Sequence, residues 1–217
     1  MKYQVIKINQ KSKHYPERLR NIDSPPKELY CLGNIALLEH KSIAIIGSRK
    51  YSQYGKRAAK DFASALAKQE ICIVSGLAKG IDGFAHRACI EAGGETIAVL
   101  GGGLDKMYPK ENETLFHEII AKGGLVVSEY PLGTPPKKQH FPARNRIISG
   151  LSDGVLVIEA RKNSGTNITV DFALEQGKDV FALPGNIYAN TSNGTNFLMK
   201  EGAIPVTCVE DVLNEIS

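Results

Sequence analysis

The strongest constraint in this chain is a rhythm. From Ser42 onward a short apolar run, a glycine-bearing turn and a helical spacing of apolar residues recur in that order. The apolar runs fall at 42–47, 71–74, 96–100, 125–127, 154–158 and 180–183, and they show almost no polar alternation. Runs of this kind suit strands buried on both faces, which occur in parallel sheets covered by crossover helices. The spacing predicts helices near Tyr54 and over 81–92, 111–122, 143–151 and 166–176, with Gly177 ending the last. Ala58, Ala59, Phe62, Ala65 and Leu66 fall on one face of the first helix, the face that should cover the sheet. The fold expected is therefore α/β, a mostly parallel doubly wound sheet with helices on both faces, over residues 42–217. Residues 1–41 lack the rhythm and carry Asp23-Ser24-Pro25-Pro26, so they are expected as an N-terminal extension packed on the core. A short strand at 206–209 and a closing helix are expected at the end of the chain.

The chain has 217 residues, enough to bury one large core without a disulfide or metal staple. No apolar run reaches the length of a membrane span, and the first residues open no secretory signal, so the expected address is the cytoplasm. Cys31, Cys72, Cys89 and Cys208 are scattered without a paired spacing; they are expected as reduced thiols, with no metal site. The net charge of +4 is concentrated: between Tyr130 and Ser152 there is no Asp or Glu, while Lys137, Lys138, Arg144 and Arg146 lie there. Such a patch suits phosphate; a solvated basic loop is the alternative.

In a parallel sheet, ligands meet the loops that leave the carboxyl ends of the strands. Those loops read Gly47-Ser48-Arg49, then Ser75-Gly76-Leu77-Ala78-Lys79-Gly80, then Gly101-Gly102-Gly103-Leu104-Asp105. A small residue lets backbone N–H groups approach an anion, and arginine supplies a fork of donors. Neither the dinucleotide-binding fingerprint nor the triphosphate-binding loop is present, so no nucleotide cofactor is expected. Ser164-Gly165-Thr166 opens another helix whose free N–H groups could receive a phosphate, or whose Ser or Thr simply caps it. A further Gly- and Asn-rich loop runs from Pro184 to Asn196.

Two constellations leave alternatives open. In Lys137-Lys138-Gln139-His140-Phe141-Pro142-Ala143-Arg144-Asn145-Arg146, an aromatic among cations combines a stacking platform with charges that follow a nucleic-acid backbone. Alternatively, Phe141 is core and Arg144 a structural ion-pair partner. Asp82 and His86 share a helix face and are either an acid and base of some chemistry or a first-turn acid with its hydrogen-bonded histidine. The second reading needs no further residue.

Taken together, these segments resemble the DprA (Smf) family of DNA-processing proteins. The resemblance rests on Ile46-Gly47-Ser48-Arg49, Ser75-Gly76-Leu77-Ala78 with Gly80-Ile81-Asp82, and Gly101-Gly102-Gly103-Leu104-Asp105 with Tyr108-Pro109. It continues through Ser128-Glu129-Tyr130-Pro131, the run from Phe141 to Ser152, Ser164-Gly165-Thr166, and Val180 to Gly185. It implies an extended Rossmann-like fold that binds single-stranded DNA, protects incoming DNA and loads the recombinase RecA in natural transformation. It also implies a homodimer and no established catalysis. Carried over by position, Ser48, Arg49, Lys110, Lys138, Arg144 and Arg146 contact phosphates and Phe141 faces a base. Asn145 and the Ser164-Gly165 turn complete the groove. Two departures stand out. Many members carry a helical domain before this core or a winged-helix domain after it, and this chain is expected to have neither. The segment 166–171 also differs from the more usual Ser-Leu-Ile-Thr-Ala and brings in Asp171.

The competing expectation is a nucleotide sensor or a nucleoside-monophosphate glycosidase of the lysine-decarboxylase-like group. That group's Pro-Gly-Gly-x-Gly-Thr loop is matched here only by Asn163-Ser164-Gly165-Thr166, with Asp171 and Glu175 as nearby acids. A third reading is a scaffold without nucleic acid. Phe197 and Leu198 are the candidate dimer contacts.

Overall fold

A computed structural model describes residues 4–216; the outer limits Met1 and Ser217 lie outside the described residues. Among the described residues nine strands form one sheet: β1 (Ile6–Asn9), β2 (Glu28–Gly33), β3 (Ser42–Ile46), β4 (Cys72–Ser75), β5 (Thr96–Leu100), β6 (Leu125–Ser128), β7 (Gly154–Val157), β8 (Asp179–Ala182) and β9 (Ile204–Pro205). Their spatial order is β1-β2-β6-β5-β4-β3-β7-β8-β9. From β6 to β9 every pairing is parallel, as the uninterrupted apolar runs require.

The helices are α1 (Glu17–Arg20), α2 (Gln53–Lys68), α3 (Ile81–Glu91), α4 (Glu113–Ala121), α5 (His140–Gly150), α6 (Gly165–Glu175), α7 (Asn193–Lys200) and α8 (Val209–Leu213). Alternate strand residues serve opposite faces. Ile43, Ile45, Leu156 and Phe181 pack under α2, α3 and α8, and Ala98, Leu100 and Val126 under α4. Ala44, Ile46, Val155 and Val157 point the other way, toward Leu19 of α1, Ile147 of α5 and Val170 of α6. In α2 the apolar face is Ala58, Ala59, Phe62, Ala63, Leu66 and Ala67, and the Ser52 side chain caps its start by accepting from the Gly55 N–H at 3.1 Å. Removing the Phe62 ring from that face would cost about 3–5 kcal/mol.

Two expectations about the ends are corrected. The segment before Ser42 does more than pack on the core, because β2 pairs antiparallel with β6 and β1 antiparallel with β2, extending the sheet. The turn through Pro25 and Pro26 that breaks regular structure is pinned by the Tyr15 hydroxyl, which donates to the Pro26 carbonyl at 2.7 Å. At the other end the strand is β9, two residues earlier than expected, since Ile204 and Pro205 align with Phe181 and Ala182. Asp211 then accepts from the N–H groups of Thr207 and Cys208, which ends the extended backbone and starts α8 at Val209. Helix α5 also begins three residues early. Pro142 lies in its first turn, where a missing N–H breaks no helical bond.

Among the described residues no helix is long and apolar enough to cross a membrane, and no cluster of His, Cys, Asp and Glu could hold a metal ion. The four cysteines are free thiols. Burial pushes Cys31 and Cys89 up to about 12 and Cys72 well above its ordinary value.

Candidate nucleic-acid interface

Strand order reverses between β3 and β7. The chain leaves β3 toward β4 on one side and returns later to β7 on the other, so the loops after these two strands diverge and leave a crevice. The crevice is a cleft of about 670 Å³. Nine of the eleven predicted DNA-contacting residues line it: Gly47, Ser48, Arg49, Lys138, Phe141, Arg144, Asn145, Ser164 and Gly165. Lys110 and Arg146 do not.

Each wall has a local cause. A side chain at position 47 would place Cβ 2.8 Å from the Ile81 side chain and 3.0 Å from the Glu159 carbonyl, so only glycine lets β3 turn here. The Ser48 N–H donates to that same Glu159 carbonyl at 2.8 Å, and the Ser48 hydroxyl donates to the Lys50 carbonyl at 2.8 Å. The loop is thereby held from within. Its far end is held by the buried Glu159 carboxylate, which accepts from the Ser52 N–H at 2.9 Å and the Ser52 hydroxyl at 2.5 Å. Arg49 projects from this rigid loop, exposed, with its guanidinium 6.0 Å from the centre of the Phe141 ring.

The opposite rim is the start of α5. Phe141 leans on Tyr108, with ring centres 5.7 Å apart. Its neighbour His140 stacks on Tyr130 at 4.1 Å, and His140 Nδ1 lies 3.1 Å from the Gly101 carbonyl. The third Gly-rich loop thus seats the aromatic rim: a side chain at 101 would put Cβ 3.1 Å from the Phe141 ring. On the third side α6 opens at Gly165, where an added Cβ would meet nothing within 4 Å, so its first-turn N–H groups are approachable. The capping alternative does not apply. The Ser164 side chain makes no cap bond, and its buried hydroxyl has no partner.

Arg144 is held within the fold by backbone carbonyls, and among the described residues it forms no ion pair. It is only 5% exposed and lies at the floor of the cleft. Its Nη1 donates to the carbonyls of Gly76 at 2.7 Å and Val99 at 2.6 Å. The Gly76 N–H in turn donates to Asp82 Oδ2 at 3.2 Å, so one residue links the buried cation to a buried acid. Burial raises the Asp82 pKa and lowers that of Arg144 to about 10, while each charge opposes the shift of the other. A Cβ at Gly76 would lie 2.0 Å from Arg144 Nη1, which explains the glycine. Arg144 Nε is buried without a partner.

Asp82 and His86 share a face but do not pair. His86 Nδ1 meets the Thr96 hydroxyl at 2.7 Å, and that hydroxyl donates to the Ile73 carbonyl at 2.6 Å. Burial pulls His86 down to about 3, so the imidazole is neutral and structural. Arg146 is likewise spent inside the protein. It forms a fork to Glu129, at 2.9 and 2.6 Å, and donates to the Ser24 carbonyl at 2.8 Å, tying α5 to the N-terminal segment. Lys110 is exposed in the turn before α4, outside the cleft lining.

Sequence reasoning missed Lys50 and Arg161 and, as a lining residue, Tyr108. Arg161 stands just past the end of β7, and position at a strand's carboxyl end was the available signal. Asp171 and Glu175, the acids the glycosidase reading needs, are exposed on α6 and line no part of the cleft. Of the candidate dimer contacts, Leu198 packs against the core and the half-buried Phe197 ring lies under Lys162 Nζ at 4.6 Å.

Fold and cleft together define an open α/β protein of the Rossmann-like kind, with a basic, aromatic-rimmed crevice at its switch point. The family model described as DNA recombination-mediator protein A matches residues 6–217, and the chain belongs to that family of DNA-processing proteins. It is 48% identical over 201 residues to the DNA processing protein DprA of Streptococcus pneumoniae, covering 93% of this chain and 71% of the relative. It is 45% identical over 205 residues to Protein Smf of Escherichia coli, covering 94% of this chain but only 55% of the relative. Among solved structures, the pneumococcal protein superposes with a TM-score of 0.93 at 45% identity, over 99% of this chain and 75% of that one. A Helicobacter pylori DNA processing protein A, described by its single-stranded DNA binding mode, superposes at 0.88 with 33% identity, over 99% and 96%. A molybdenum cofactor binding protein of Rippkaea orientalis, at 18% identity over 82% of this chain and 96% of that one, with a TM-score of 0.58, shares the fold alone.

Proposed function

We propose that the chain binds single-stranded DNA in the switch-point cleft and hands the strand to the recombinase RecA. The observation that carries this reading is the charge of the cleft. Arg49, Lys50, Lys138 and Arg161 line it and have no ion-pair partner among the described residues, beside the partly exposed Phe141 ring. Unpaired cations suit phosphates, an accessible ring suits an unstacked base, and neither selects a sequence. The single-strand binding mode of the Helicobacter relative supports the same assignment.

The role divides by burial. Arg49, Lys50, Lys138 and Arg161 take phosphates; the N–H groups at Gly165 receive another; Phe141 stacks; Arg144 and Asp82 shape the floor. A homodimer joined on the Phe197 side, transfer to RecA and service in natural transformation complete the proposal. Light scattering across dilution tests the dimer.

The test of binding is fluorescence anisotropy of a labelled oligothymidylate. With four cations engaged, log affinity should fall against log salt with a slope of about −3, at roughly 0.7 per neutralised phosphate. Binding indifferent to salt, or displacement by a mononucleotide at the concentration of the oligonucleotide, overturns the reading.

A further inference from the structure

We infer that the turn after β8, with Tyr188 at its tip, is a second base-stacking platform on the path of the strand that leaves the cleft. The inference rests on the cleft being a single-strand site and extends it beyond the residues that line it.

Tyr188 and Ile187 are 89% and 72% exposed, the most exposed large apolar side chains among the described residues. Neighbouring exposed apolar side chains on one tip, an isoleucine beside a tyrosine ring, are unfavourable in water unless something covers them. The tip is built rather than loose. The Asn186 side chain accepts from the Tyr188 N–H at 2.9 Å, and the Asn186 carbonyl from the Ala189 N–H at 2.9 Å. At the base of the loop Asn196 clasps Gly185 twice, accepting from its N–H at 3.1 Å and donating to its carbonyl at 3.0 Å. A side chain at 185 would collide with the buried Ser192, so the loop closes tightly there. A ring held out by such a frame loses little freedom when a base stacks on it.

Position and charge choose the occupant. Strands β3, β7 and β8 are parallel neighbours, so the loops carrying Arg49, Gly165 and Tyr188 leave the same sheet edge in that order. At about 4.8 Å between strands, β8 stands roughly 10 Å from β3. Tyr54, in the first turn of α2, donates to the Pro184 carbonyl at 2.7 Å, and Gly194 donates to Ala160, next to Arg161, at 2.7 Å. The β8 loop is thus joined to both walls of the cleft. No Asp or Glu occurs from Val180 to Lys200, so a polyanion meets no repulsion along this stretch. Phosphates held at Arg49 and Gly165 would then have a ring beyond each end, Phe141 on one side and Tyr188 on the other.

The chain contains no tryptophan, which makes the test clean. Tyr188→Trp introduces a single indole, and its emission should be quenched as oligothymidylate saturates the protein, with the same midpoint as the anisotropy change. Tyr188→Ala should weaken binding about 5- to 150-fold, the usual effect of one stacked base, with the salt slope unaltered, whereas Tyr188→Phe should restore the affinity. If anisotropy reports saturation while the indole emission stays constant, the inference is overturned and the cleft reading stands. If Arg49→Ala also leaves binding intact, the cleft reading itself fails. Tyr188→Ala converting a dimer to a monomer in light scattering would make the tip a contact between copies and overturn the inference.

Discussion

Arg144→Met separates a buried scaffold arginine from a phosphate-binding one. Methionine keeps most of the volume and removes the donors to the Gly76 and Val99 carbonyls at 2.7 and 2.6 Å. Charge-assisted bonds of this kind contribute about 1.5–3 kcal/mol each. The change also strips Asp82, itself only 7% exposed, of the cation that most lowers its pKa. Breaking a buried charge relationship costs about 3–5 kcal/mol, and Asp82, already raised by burial, would take up a proton and hold the loss within that range. For a domain of this size each kcal/mol lowers Tm by about 2–4 °C, so the expected fall is roughly 6–20 °C. Scanning calorimetry at pH 7 measures it, with Arg49→Met as the exposed comparison, expected within about 0.5 kcal/mol of the parent. Equal, small shifts for both variants would refute the scaffold role of Arg144.

Replacing Arg49 or Lys138 by alanine should weaken binding to all single-stranded sequences alike and reduce the salt slope by about 0.7 each; a change in sequence preference would count against phosphate contact. Glu159→Ala leaves the Ser52 N–H without its acceptor and should cost about 1–3 kcal/mol in urea unfolding, while loosening the Arg49 loop enough to lower affinity. His86 has its folded pKa depressed from 6.5 to about 3, so the unfolded chain takes its proton first and stability falls as pH drops from about 6.5 toward 3. At pH 4.5 this amounts to about 2–3 kcal/mol, and His86→Gln should flatten that part of the urea-midpoint profile. An unchanged profile would remove His86 from the acid response.

The central sheet was legible because strands buried on both faces leave unbroken apolar runs, and the loops at their carboxyl ends point to a crevice without further information. Strands β1 and β2 were not, since Ile8, Leu29 and Cys31 reach the core from segments too short to establish alternation. The cleft was legible residue by residue except where charge alone had to be interpreted. An arginine in sequence looks the same whether water or protein surrounds it: Arg49 and Arg144 differ because the fold brings Asp82, Gly76 and Val99 around only one of them. The acid-free window beginning at Tyr130 stops one residue short of Glu129, the partner that occupies Arg146. Arg161 was overlooked because it stands outside that window, although it lines the same crevice.

Photo-crosslinking tests the central claim most directly. An oligodeoxynucleotide carrying a photoreactive thymidine analogue is irradiated on the protein, digested and mapped by mass spectrometry. The account predicts adducts on the peptides that contain Phe141 and Arg49, lost when both are replaced by alanine. Adducts confined to the separate groove between α2 and α8, lined by Phe62, Leu183 and Val209, would contradict it.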